Sequence, residues 1–119
     1  MARQAFGKCG EDLAVEELER RGYAILERRY RTRRGEIDIV ARDGDVLVFV
    51  EVKARATTDF GTAAEAVTAR KQRRLVWMAT DYLARHCPVY PQCRFDVVAI
   101  DGVGESQQLT VYTNAFDAY

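Results

Sequence analysis

The run Gly35-Glu36-Ile37-Asp38-Ile39-Val40-Ala41-Arg42-Asp43-Gly44-Asp45-Val46-Leu47-Val48-Phe49-Val50-Glu51-Val52-Lys53-Ala54-Arg55 decides the fold. Asp43-Gly44 readily takes the positive φ that tight turns require. Glu36 to Arg42 and Val46 to Arg55 therefore read as two antiparallel strands of a hairpin. With Asp43-Gly44 as a two-residue turn, Arg42 faces Asp45; counting back, Asp38 faces Phe49 and Glu36 faces Glu51. Side chains alternate across a strand. Asp38, Glu51 and Lys53 are thus expected on one face, with Asp38 and Glu51 as diagonal neighbours within reach of a shared ion.

This arrangement carries an electrostatic cost. Glu36, Asp38 and Glu51 bring three carboxylates onto adjacent strands, where like charges destabilise a sheet. Glu51 also interrupts the valines of an apolar strand, and a buried carboxylate without a partner is costly. Either the face is open to solvent, as on an edge hairpin with alternating charges, or a cation neutralises it. The apolar stretch Val46 to Val52 speaks against an exposed edge. Lys53 supplies one positive charge, and Mg2+ or Mn2+ would supply two more. Magnesium takes hard oxygen ligands, one or two of them carboxylates, and leaves positions for water and substrate phosphate. A bound divalent ion acidifies water and offsets charge on a phosphoryl oxygen. A lysine at its edge orients the attacking water or offsets charge in the transition state. The chemistry expected is phosphodiester hydrolysis.

Outward from the hairpin the chain reads as alternating elements. Glu11 to Arg21 is a helix with Val15 and Leu18 at helical spacing and Gly22 as its stop. Glu11 lies on the same stripe as those apolar residues, an odd place for a carboxylate. Tyr23 to Tyr30 is a first strand, with Tyr23, Ile25 and Leu26 inward, and Arg31 to Arg34 is its connection to the hairpin. After a polar loop at Ala56 to Gly61, Thr68 caps a long helix reaching about His86. Leu75, Met78, Ala79, Tyr82 and Leu83 form its buried stripe. Arg94 to Ile100 and Leu109 to Thr113 are the last strands, joined by a turn at Asp101 to Glu105. The order α-β-β-β-α-β-β implies an α/β fold around a mixed five-stranded β-sheet flanked by helices. With no repeat, low-complexity tract or linker, residues 1–119 are expected to form one domain.

Composition narrows the setting. The chain has 119 residues, of which 48% are hydrophobic, enough to bury a core. No apolar run approaches the roughly 20 residues that cross a bilayer, and Met1 to Lys8 lacks the apolar centre of a signal peptide. A cytoplasmic protein without a membrane partner is expected. The 3 cysteines have no regular spacing, so free thiols are expected; His86, Cys87 and Cys93 lack a second ligand pair for zinc. Lysine plus arginine and aspartate plus glutamate both number 18. The balance is mildly unlike a nucleic-acid domain, but the charges are segregated. Arg28, Arg29, Arg31, Arg33 and Arg34 crowd one segment; Arg70, Lys71, Arg73 and Arg74 crowd another. Each run is either a solvated surface or part of a positive face. In the second case Arg31, Arg33 and Arg34 would track phosphates.

Gly35-Glu36-Ile37-Asp38-Ile39-Val40 followed by Phe49-Val50-Glu51-Val52-Lys53-Ala54-Arg55 resembles the PD-(D/E)xK nuclease superfamily. Within it the chain is similar to the YraN-like family, a bacterial group that resembles archaeal Holliday junction resolvases. Further matching stretches are Gly10-Glu11, Gly22-Tyr23, Phe60-Gly61, Lys71 and Arg94-Phe95-Asp96-Val97-Val98. Ile37 stands where the naming proline would be; that proline is not a ligand, so its absence leaves the site intact. The resemblance implies a restriction-endonuclease-like core. It implies metal ligation by Asp38, Glu51 and the backbone carbonyl of Val52, with Lys53 as catalytic lysine. It also places Glu11 as a further catalytic glutamate, which would explain its place beside an apolar stripe; the alternative is a first-turn carboxylate favoured by the helix dipole. Lys71 and Arg55 would contact phosphate, or else be a solvated first-turn lysine and a strand continuation. Asp96 reads as a structural hydrogen-bond acceptor, and His86 lies too far along its helix to serve as a base.

The function implied is a metal-dependent endonuclease acting on DNA, with branched or flapped structures as substrates. The alternative is a nucleic-acid-binding module that keeps the fold and cleaves little or not at all. A symmetric homodimer is a further expectation from the resemblance, with Val46 to Val50 or Ala115 to Tyr119 at its interface.

Overall fold

The computed structural model describes residues 9–57, 59, 61–89 and 91–117. The segment Met1 to Lys8, Phe60 and the last two tail residues lie outside the described residues. Seven main elements succeed one another: α1 Gly10–Arg20, β1 Ala24–Thr32, β2 Gly35–Asp43, β3 Val46–Arg55, α2 Ala69–His86, β4 Cys93–Asp101 and β5 Gln108–Tyr112. Single 3-10 turns occupy Ala64–Ala66 and Gly104–Ser106. The expected α-β-β-β-α-β-β order and mixed five-stranded sheet are what the chain forms.

Strands lie in chain order, β1-β2-β3-β4-β5. All neighbours are antiparallel except β3 and β4, which run parallel. A parallel pair needs a crossover rather than a tight turn, and α2 supplies it. Against one face of the sheet pack Leu75, Met78, Ala79, Tyr82 and Leu83 of α2, meeting Val40, Leu47, Phe49 and Phe95. Against the other pack Ala14 and Leu18 of α1, meeting Ile39, Ala41, Val48, Val50, Val98 and Ile100. Both faces of β3 and β4 are therefore covered, which is why their sequences run almost continuously apolar instead of alternating. The apolar stretch from Leu47 to Val50 is spent inside this sheet, so it is not a surface for pairing with a second copy.

Local signals set the element ends. Helix α1 stops at Gly22, whose φ of 93° is open to glycine. There Gly22 N–H bonds Glu19 O and Tyr23 N–H bonds Leu18 O, the paired closure of a Schellman motif. Thr68 caps α2 by accepting from Lys71 N–H.

Three expectations are corrected. The hairpin turn is Gly44-Asp45, with Asp43 opposite Val46, Arg42 opposite Leu47 and Val40 opposite Phe49. Gly44 takes a φ of 61° at the first turn position, as a type II′ turn demands. The register is thus two residues from the one counted from Asp43-Gly44; a shift of two keeps each side chain on its face. Leu26 is exposed, because a bulge between Ile25 and Glu27 turns the strand there. The connection after β1 is only Arg33-Arg34, since the strand continues through Thr32. Thr32 Oγ1 donates to Gly35 O and accepts from Arg34 N–H, closing that turn.

Candidate active site

The β2–β3 ladder runs from Asp43–Val46 to Ile39–Val50 and stops. Continued by one step, it would set Asp38 directly opposite Glu51 rather than diagonal to it. At that point Asp38 Oδ2 accepts the Val52 N–H at 2.8 Å, so a side chain stands where a backbone carbonyl would otherwise be. The two neighbouring strands turn over at this same level. Ile39 belongs to the cluster under α1 and Ile37 to the cluster under α2, although residues two apart on a regular strand share a face. On β1, Arg28 reaches α1 while Tyr30 packs under α2. Arg29 between them has a φ of 55°, a left-handed conformation uncommon outside glycine. Strand β3 has no such break on its other side. Its parallel ladder to β4 continues through Glu51–Val97, Lys53–Ala99 and Arg55–Asp101. One wall of the gap, β3, is thus rigid, and the other is the strongly twisted start of β2. On a strand the N–H and C=O of one residue point the same way, so the Val52 carbonyl faces the gap together with its N–H.

The charges in the gap perturb one another. Burial first, and then the Asp38 charge, push the Glu51 carboxyl up to about 7, with Lys71, Arg74 and Lys53 offsetting only part of the rise. Asp38 is raised too, first by burial; the Val52 N–H opposes this, Glu11 and Glu36 add to it, and Lys53 opposes it. Burial and the adjacent Lys53 ammonium hold Lys71 below its usual range. Among the described residues the Glu51 carboxylate has no hydrogen-bond donor and no ion-pair partner. A half-buried carboxylate short of positive charge, a second carboxylate across the gap and a carbonyl beside it make a hard oxygen donor set. That set fits Mg2+ or Mn2+, which ask for one or two carboxylates and keep water in the remaining positions. Among the described residues no group of three or more His, Cys, Asp or Glu gathers as a metal cluster, so protein ligation here would come from two side chains and a backbone oxygen.

The remaining expected residues fall in different places. Glu11, in the first turn of α1, is held by Arg28 at 2.7 Å and Arg29 at 3.0 Å. Its charge reaches Asp38. Arg31 pairs with Glu36 at 3.1 Å, and Arg33 is exposed on the turn. Arg34 lines a groove of about 670 Å³ together with Arg70, Lys71, Arg73, Arg74 and Trp77 of α2. Arg55 is one same-face step beyond Lys53, and its Nε is buried without a hydrogen-bond partner. Cys9, Cys87 and Cys93 are free thiols. Asp96 is fully buried and is a structural acceptor: it takes Tyr23 Oη at 2.8 Å, Arg94 Nε at 2.9 Å and Asn114 N–H at 2.9 Å.

Trp77 escapes the sequence reading. It sits among the buried positions of α2 yet is 38% exposed, with the Arg34 guanidinium 4.6 Å above its ring. The signal for it is the spacing Arg70, Arg73, Arg74, Trp77, which is i, i+3, i+4, i+7 and hence one helix stripe, on the side of α2 turned away from the apolar one.

Fold and site together define a two-sided mixed-sheet α/β domain with an acidic gap beside a lysine and a basic groove. Residues 10–100 match the uncharacterised protein family UPF0102, and the chain belongs to that family. This bears out the YraN-like resemblance at the level of the family. The UPF0102 protein HEAR0176 of Herminiimonas arsenicoxydans is 51% identical over 100 residues, covering 84% of this chain and 80% of that protein. The UPF0102 protein STH1475 of Symbiobacterium thermophilum is 50% identical over 113 residues, covering 94% and 96%. A UPF0102 protein of Geobacter metallireducens is 46% identical over 114 residues, covering 96% and 93%.

Proposed function

We propose that this chain is a metal-dependent endonuclease that hydrolyses DNA phosphodiester bonds, with branched or flapped DNA as its substrate class. The observation that carries the reading is the interrupted β2–β3 ladder, where Asp38 takes the Val52 N–H next to a Glu51 carboxylate that has no hydrogen-bond or ion-pair partner among the described residues. Asp38, Glu51 and the Val52 carbonyl would hold Mg2+ or Mn2+, which supplies an acidified water and a counter-charge to the phosphoryl oxygens. Lys53, next on the same side of β3, orients the attacking water and offsets charge developing on the phosphate. Lys71, beside Lys53 and with a lowered proton affinity, offers a second donor to the same phosphate. The basic groove continues from Lys71 along α2 and gives the neighbouring phosphates a path. Glu11 acts on the site through its charge on Asp38 while Arg28 and Arg29 hold its carboxylate.

That last pairing favours a second reading, a nucleic-acid-binding module with little cleavage, because it ties the third carboxylate away from the gap. One experiment separates the two. Purified protein is incubated with Mg2+ or Mn2+ and a panel of branched, flapped and linear DNAs. Metal-dependent cutting that is lost in Asp38→Ala and Glu51→Ala is the expected result. Binding without cutting, unchanged in both variants, overturns the nuclease.

A further inference from the structure

The groove beside the gap has a chemistry that phosphate contact alone does not call for. Its walls are Arg34 from the β1–β2 turn on one side and Thr68 with the first half of α2 on the other. Arg70, Lys71, Arg73 and Arg74 line it, and Lys71 also neighbours Lys53 and acts by charge on Glu51, so the groove begins next to the gap. The aromatic surface is Trp77, 38% exposed and carrying the Arg34 guanidinium at 4.6 Å. The volume, about 670 Å³, is within the roughly 300–1,000 Å³ range of sites that enclose small organic groups.

We propose that this groove binds an unpaired stretch of DNA, with one base stacked on the Trp77–Arg34 pair and the neighbouring phosphates on Arg70, Lys71, Arg73 and Arg74. Duplex DNA presents phosphates to such a wall, but its base faces are covered by their neighbours. Only an unpaired strand offers a free π-face to an indole or a guanidinium plane. The groove therefore distinguishes strands by stacking and tracks their backbone by charge. The inference deepens the nuclease reading by naming the form of DNA led to the carboxylates. It rests on that reading only for the cleavage step, not for binding.

Trp77 is the only tryptophan in the chain, so its fluorescence reports this groove alone. The test is a titration of the metal-free protein, in chelator, with an oligothymidylate of about 15 nucleotides, a length that spans one site. A duplex of the same length is titrated in parallel. The expected result is Trp77 quenching by the single strand, and affinity for it at least about ten-fold above that for duplex. The logarithm of that affinity should fall against log salt with a slope of roughly −2 to −3.5, as three to five neutralised phosphates require. Trp77→Ala should weaken single-strand binding by about ten-fold or more and duplex binding much less. Trp77→Phe, which keeps a stacking ring, should retain most of the affinity. Arg34→Lys should weaken single-strand binding without changing the salt slope. Equal affinity for single strand and duplex, with no quenching, overturns the proposal, as does a Trp77→Ala protein of native circular dichroism that binds both normally. Either outcome leaves duplex cutting at Asp38 and Glu51 untouched. Quenching and tight single-strand binding in a protein that never cuts would instead sink the nuclease and leave this site standing.

Discussion

A carboxyl group whose ionisation is held back to about pH 7 works against its own fold at neutral pH, and Glu51 is such a group. Its ordinary value is 4.5. Below that, folded and unfolded chains are both protonated and the penalty is absent. Between about 4.5 and 7 the folded state keeps the proton that the unfolded state loses, so stability falls as pH rises through this window. Above it the full penalty stands, on the order of 3 kcal/mol from a shift of this size. Glu51→Gln removes the charge and keeps the shape. In metal-free protein it should raise the unfolding free energy from urea titration at pH 8 by an amount on the order of 1–3 kcal/mol, shrinking to nothing near pH 4.5, and on the proposed nuclease reading it should abolish cutting. A variant no more stable than wild type at pH 8 would mean Glu51 already has a counter-charge. At this scale the sequence was a good guide to which residues meet, because a two-residue slip in register preserves parity. It was a poor guide to how they meet. The Asp38 bond to the Val52 N–H arises where the ladder stops at Ile39. Alternation rules cannot foresee a strand that turns over.

At the scale of elements, the long helix and the central strands were plain from pattern. The α2 stripe of Leu75, Met78, Ala79, Tyr82 and Leu83 is buried as its spacing requires. What pattern missed was local backbone chemistry. The bulge after Ile25 and the left-handed Arg29 depend on contacts between β1, β2 and α1 that no propensity encodes. Strand β4, which runs between β3 and the short β5, carries Asp96, which gathers Tyr23 from the end of α1, Arg94 from its own strand and the Asn114 N–H beyond β5. Burial first, and then the neighbouring Asp96 carboxylate, push the Tyr23 phenol up to about 12. Asp96→Ala leaves Arg94, the Tyr23 hydroxyl and a backbone N–H short of their acceptor. It should cost about 3 kcal/mol or more, read as a lowered melting temperature. A loss below about 1 kcal/mol would show that water replaces the carboxylate.

Across the whole molecule, the two-sided sheet pairs one wall of the gap throughout and leaves the other twisted, so the ion proposed to bridge them would act on the stability of the fold itself. A cation that binds the native gap and not the unfolded chain stabilises by about 2.7 kcal/mol at a hundred times its dissociation constant. Mg2+ or Mn2+ should therefore raise the melting temperature of wild type by several degrees, about 4–8 °C per kcal/mol being the upper range for small domains. The rise should vanish in a protein carrying both Asp38→Asn and Glu51→Gln. An equal rise in that double variant would place the ion elsewhere. The molecular charge balance gave no hint of this, since the 18 basic and 18 acidic residues cancel in sum and separate only in space.

The irregular course of β1 has a bearing on how copies of the chain meet. A sheet has two margins with unpaired backbone groups, here β1 and β5. The bulge at Ile25–Glu27, the left-handed Arg29 and the neighbouring arginines make the first margin crooked and cationic, a poor template for annealing to another strand. Only the β5 margin is straight enough for edge-to-edge joining, and it spans just Gln108 to Tyr112. The same distortion that opens the carboxylate gap thus also guards one border of the sheet against runaway self-assembly.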